Sequence, residues 1–172
     1  FKHYFSESKS IIEIGPGSGY FSLIMALDGF KVLSTDITQS LYLWQSVLYD
    51  HFNILNEAAV NDIQTEFGKI SHIPWWKFKN IYDWCNDKID NIIINHAITE
   101  MHPFALRNLF YTANQIGNPS FFIGGLGHQF RVSSFWDIIS IAQEFGYRLM
   151  HQNADIYLLE YNSNFKKLRN TD

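Results

Sequence analysis

The chain has 172 residues, 47% of them hydrophobic and 17% charged, which suits one domain with a substantial core and excludes a disordered chain. A net charge of −4 and a pI of about 5.9, without any Lys/Arg cluster, argue against a nucleic-acid backbone as the main partner, because phosphate binding needs a basic surface. The lone Cys85 excludes an internal disulfide and fits a cytoplasmic location, and no stretch approaches the roughly eighteen apolar residues of a membrane span.

In chain order, the β-branched run Ile11 to Ile14 reads as a buried parallel strand, and the segment from Tyr20 to Leu27 as the helix after it. Between them lies Gly15-Pro16-Gly17-Ser18-Gly19, whose alternating glycines permit positive φ and a close approach of backbone to a ligand over the strand end. A dinucleotide fingerprint would need its third glycine where Tyr20 stands, so the turn is not built for NAD. A second strand, Lys31–Thr35, ends in Asp36, about twenty residues beyond the turn, where α/β nucleotide-binding folds place a carboxylate for ribose hydroxyls. Asp36 as a plain N-cap for the next helix is compatible with that role.

Further strands are expected at Lys69–Ile73, Ile89–Asn95, Ser120–Gly124, Arg148–Gln152 and Ile156–Tyr161, and helices at Ser40–His51, Asn80–Cys85, Pro103–Ile116 and Ser133–Phe145. This alternation is the signature of parallel βαβ units. The last two strands are too close in sequence for a parallel crossover and are expected to pair as an antiparallel hairpin. In the second helix, Leu41, Trp44, Leu48 and Phe52 fall near one face and predict a core stripe. Residues 53–68 hint at a further helix through Ala58, Val60 and Ile63. A start at Phe1, with a strand within about ten residues, suggests one domain over residues 1–172 that forms the core of a longer chain.

The most chemical stretch is Ile92-Ile93-Ile94-Asn95-His96-Ala97-Ile98-Thr99-Glu100-Met101-His102, an apolar strand running straight into ionisable side chains. His96 and Glu100 are four residues apart, so a helical turn would stack them on one face, with His102 pointing elsewhere. A histidine near neutral pKa can take a proton from a hydroxyl, and a carboxylate can orient it. Metal ligation by His96, Glu100 and His102 is the rival, but no acid cluster accompanies them and no metal is expected. A third reading, with Glu100 as a cap and the histidines as surface residues, stays open. His128, Gln129 and Arg131, in the loop after the fifth strand, are candidate acceptor contacts.

Glu13-x-Gly15-x-Gly17-x-Gly19, taken with Asp36, resembles the first motifs of the class I S-adenosylmethionine (SAM)-dependent methyltransferases. Three further segments, Asp36 to Leu43, His72-Ile73-Pro74-Trp75-Trp76, and Asn95 to Met101 followed by Ala105-Leu106-Arg107, resemble the sugar O-methyltransferase family of that superfamily. The resemblance implies a Rossmann-like α/β fold, with a mostly parallel seven-stranded sheet in the order 3-2-1-4-5-7-6 and one antiparallel strand. It implies SAM as cofactor, bound by Glu13, Gly15, Gly17, Gly19, Asp36, Ile37, Ile73 and Asn95, with Ile73 and Trp75 beside the adenine. It implies methyl transfer to a hydroxyl of a saccharide or similar small molecule, with His96 and Glu100 as catalytic residues. An aminopropyl transferase would show acidic residues around the acceptor pocket, which are sparse here. A non-catalytic partner protein of the same fold would have lost the motif that Glu13, the glycine turn and Asp36 retain.

Overall fold

The computed structural model describes residues 8–57, 68–81, 89–125 and 132–165. The expected helix Asn80–Cys85, the hint of one around Ala58–Ile63, and the candidate contacts His128, Gln129 and Arg131 fall wholly or mainly outside these residues.

Strands β1 (Ser10–Ile14), β2 (Lys31–Asp36), β4 (Ile70–Pro74), β5 (Asn91–Asn95) and β6 (Ser120–Gly124) are parallel, while β8 (Ile156–Tyr161) runs antiparallel to both its neighbours, β6 and β7 (Tyr147–Asn153). These seven stand in the order the resemblance implies, and β3 (Leu55–Glu57), three residues long and parallel to β4, adds an eighth strand at the edge. β5, and β1 apart from Glu13, read as apolar runs because both faces are covered. On one side lie α1 (Tyr20–Leu27) and α2 (Gln39–His51). On the other lie α3 (Pro103–Gln115), α4 (Phe135–Glu144) and two 3-10 helices, Trp75–Asn80 and Ala97–Glu100.

Local chemistry sets the element ends. β5 begins two residues later than expected, just after Asp90, whose carboxylate accepts from the backbone nitrogens of Lys9 and Ser10 at 2.8 and 3.0 Å and so ties β5 to the start of β1. α4 begins after Ser134, whose hydroxyl accepts from Asp137 N while the Asp137 carboxylate accepts from Ser134 N, a reciprocal cap that satisfies two otherwise free amides at the helix start. Pro103 opens α3, where its missing N–H costs nothing.

The larger core lies under α3 and α4. Phe110, fully buried, packs against Phe121 and Tyr147 with ring centroids 4.8 and 5.5 Å apart. The smaller core lies under α1 and α2 around Ile11, Val32, Leu48 and Tyr49. Here the structure corrects the expected face of α2. Trp44 and Phe52 are exposed, Leu41 stands at the margin, and the buried side chains are Gln45, Leu48 and Tyr49. The helix turns a polar residue inward because the strand residues opposite, Ser34 and His72, are themselves polar.

Candidate active site

Parallel strands deliver their last residues to one edge of the sheet, and the glycine turn crosses that edge between β1 and α1. Gly15, Gly17 and Gly19 all have positive φ, at 68°, 55° and 81°. Each glycine answers a different demand. A Cβ on Gly15 would lie 2.8 Å from Ala97 Cβ, and one on Gly19 would lie 2.7 Å from the Tyr49 hydroxyl. One on Gly17 would meet nothing within 4 Å, so the middle of the turn faces open space.

Beside the turn is a cavity of about 410 Å³, bounded by Ile14, Gly15, Thr35, Asp36 and Ile37 on one side. Trp75 and Phe78 from the first 3-10 helix, then Ala97, Glu100, Met101, His102, Ala105, Asn108 and Leu109, complete the wall. Asp36 is 5% exposed. Its Oδ1 accepts from Thr38 N at 2.8 Å and its Oδ2 from Gln45 Nε2 at 3.0 Å, leaving lone pairs for further donors. Thr35 has a buried hydroxyl with no hydrogen-bond partner among the described residues. An orphaned polar atom in a cavity wall is a place for a ligand to bond.

Glu13 lies beneath the turn, buried, accepting from the Ser22 hydroxyl and bonded to the Asn95 side chain. Burial pushes its carboxyl up from 4.5 to about 7, a rise that the Ser22 and Asn95 hydrogen bonds limit and the nearby Asp36 charge adds to. Asn95 also explains Gly124, since a Cβ there would lie 2.4 Å from Asn95 Oδ1. Ile73 is buried in the core, and the cavity wall at that strand end is Trp75 and Phe78.

His96 and Glu100 are not stacked as expected. His96 takes a left-handed conformation, φ 62°, as the residue before the 3-10 helix, and its N donates to Gly124 O at 2.7 Å. Its ring packs on Gly125, where a Cβ would come within 2.2 Å of His96 Cε1. Glu100 ends the helix on the cavity wall. A 3-10 helix has three residues per turn, so positions four apart diverge. His102, expected to point away, lines the cavity, and its Nδ1 accepts from Phe104 N as the cap of α3. Among the described residues no group of three or more His, Cys, Asp or Glu side chains is arranged to hold a metal ion.

Sequence reasoning missed Thr35, Phe78, Met101, Ala105, Asn108 and Leu109 as cavity lining; the spacing of the last three on one helix was the available signal. It also missed Gln45 and His72, buried behind Asp36.

This fold, with a glycine turn, an acid ending the second strand and one antiparallel strand, is that of the Rossmann-like SAM-dependent methyltransferases. The PH0226 protein from Pyrococcus horikoshii OT3 superposes with a TM-score of 0.65 at 14% identity, covering 94% of this chain and 84% of its own. A SAM-dependent methyltransferase from Methanosarcina mazei gives 0.64 at 10% identity, covering 92% and 95%. The glycopeptide N-methyltransferase MtfA, in complex with SAM, gives 0.62 at 10% identity, covering 92% and 84%. No protein-family model matches the chain, and no curated protein matches it in sequence. The residues present fit SAM: an open glycine turn, a buried carboxylate with free lone pairs, an unpartnered hydroxyl and an apolar wall for a purine.

Proposed function

We propose that the chain is a SAM-dependent O-methyltransferase acting on a hydroxyl of a sugar or similar small molecule. The observation that carries this reading is the cavity at the ends of β1 and β2, where the glycine turn, Asp36 and Thr35 meet inside a methyltransferase fold. SAM, when bound, supplies a methyl group made electrophilic by a sulfonium charge. The chain's own task is to hold cofactor and acceptor in line and to remove the acceptor proton.

Gly15, Gly17 and Gly19 give backbone access, Asp36 receives ribose hydroxyls, and Ile37 and Trp75 wall the base, with Ile73 as packing behind them. Glu13 and Asn95 support the turn from below. His96 takes the acceptor proton: the residue is exposed at the strand end, and a positive φ at a non-glycine residue is strain of the kind found at functional sites. Glu100 presents its carboxylate at the cavity, to orient the acceptor hydroxyl or to stabilise the imidazolium. Hydroxyl acceptors are favoured by the sequence resemblance.

Calorimetry is expected to show binding of SAM and its demethylated product S-adenosylhomocysteine (SAH) and none of NAD. Gly17→Val, which forces a branched side chain into the open turn at positive φ, abolishes SAM binding; a variant that still binds SAM overturns the cofactor assignment. In turnover assays on hydroxylated and amine acceptors, His96→Ala and Glu100→Gln lower the rate by about 10²–10⁴ with SAM affinity nearly unchanged. Full activity in both variants refutes their roles, methylation of amines alone refutes the acceptor class, and activity lost to EDTA and restored by Mg²⁺ or Zn²⁺ moves these residues to a metal role.

A further inference from the structure

Behind the Asp36 carboxylate, Gln45 is fully buried in α2 and bonds in three directions. Its Nε2 donates to Gly17 O at 2.7 Å and to Asp36 Oδ2 at 3.0 Å, and its Oε1 stands 2.9 Å from His72 Nε2. The orientation of this amide is forced. Gly17 O and the Asp36 carboxylate can only accept, so the nitrogen faces both and the oxygen faces His72. His72 Nε2 therefore carries the proton, and its Nδ1, 3.0 Å from Ser46 Oγ, accepts from that hydroxyl.

Donors thus point one way from Ser46 through His72 and Gln45 to the turn and the acid. His72 is held on both sides, with the Tyr42 ring stacked on it at 3.8 Å and Tyr49 against its edge at 5.3 Å. Burial keeps its pKa down at about 3, so near neutral pH it remains the uncharged tautomer that the chain of donors requires. Gly19 belongs to the same arrangement, because a Cβ there would press on Gln45 Cγ at 3.0 Å and on the Tyr49 hydroxyl at 2.7 Å.

We propose that Gln45, oriented by His72, is a positioning residue that locks the glycine turn to Asp36 in the geometry that reads the cofactor's ribose hydroxyls. The proposal rests on the SAM-binding reading above. One amide joins the two segments expected to touch the nucleoside, so it fixes the distance between them and the direction in which the carboxylate's remaining lone pairs point. Removing the amide leaves a half-buried carbonyl and a buried carboxylate oxygen without their donor. The consequence falls on selectivity for the sugar, since a carboxylate held only through Oδ1, by Thr38 N, distinguishes a ribose from a deoxyribose less sharply.

The test is calorimetry of SAH and of its 3′-deoxyribose analogue on wild type, Gln45→Met, His72→Leu and His72→Gln. Gln45→Met keeps the volume without the hydrogen bonds and is expected to weaken SAH binding by about tenfold or more. It is also expected to bring the ratio of the two affinities toward one, which a loss of packing alone would not do. His72→Leu follows in the same direction, and His72→Gln, which restores a donor toward Gln45, recovers most of the discrimination and stands in should Gln45→Met fail to fold. Unchanged affinity and unchanged discrimination in Gln45→Met, or no difference between His72→Leu and His72→Gln, overturns the proposal. If wild type binds neither SAH nor its analogue, the SAM reading itself fails.

Discussion

Under α3 and α4 the sheet is covered by aromatic and branched aliphatic side chains, with Phe110 and Phe121 fully buried at the centre. Under α1 and α2 the same sheet carries a row of buried polar groups: Glu13 pairs in register with Ser34, and Ser34 with His72, across three adjacent strands. Cores made only of hydrocarbon are stable because they need nothing in return, whereas buried polar groups must each find a partner. The polar row finds them in Ser22, Tyr49 and Gln45. One face of the sheet therefore supplies stability, and the other holds the site's acid and glycine turn in place.

The contrast breaks most visibly at Phe110. Phe110→Ala is expected to cost about 3–5 kcal/mol in chemical denaturation while leaving the cofactor affinity of the folded protein unchanged. A large loss of affinity without loss of stability would mean the two faces do not divide their tasks in this way.

On the polar face the effect depends on pH. Because the folded Glu13 carboxyl titrates at about 7 and the unfolded one near 4.5, its favourable contribution is complete below about 4.5 and is lost as pH rises through about 7. Glu13→Gln removes that slope and is expected to stabilise the protein at pH 8, relative to pH 4.5, by about 3 kcal/mol against wild type. Thermal melts at the two pH values check it, and a parallel loss of stability in wild type and variant would show that Glu13 is not the group responsible.

The smallest effect sharpens the comparison instead of breaking it. Asp36→Ala is expected to weaken SAM binding by about 1.5–3 kcal/mol, the scale of a hydrogen bond to a charged group, measured by calorimetry. Binding within a factor of two of wild type would remove Asp36 from the ribose contact.

Much of this architecture was legible because parallel strands covered on both faces are mostly apolar, as Ile92–Ile94 are throughout and Ile11–Ile14 are apart from Glu13. The glycine turn and Asp36 were legible for a related reason, since few residue types meet the backbone and charge demands of that strand edge. The buried side of α2 was not, because hydrophobicity alone puts Trp44 inside, while the polar row opposite selects Gln45. That His96 and Glu100 would not stack was not legible, because nothing in the sequence announces a left-handed φ at His96 or a 3-10 helix, with its three residues per turn, after it. The three-residue β3 was invisible for want of length.

That short strand has a consequence at the rim of the sheet. The outermost strands are β3, only three residues long, and β7, whose ladder slips between Leu149 and His151. A further strand needs a long, regular row of free amides and carbonyls to pair with, and among the described residues β3 is too short to offer one and β7 is interrupted by its bulge. Two copies meeting edge to edge along the described residues would find little regular backbone to zip together, so the two margins of this sheet act as a brake on growth into the next molecule.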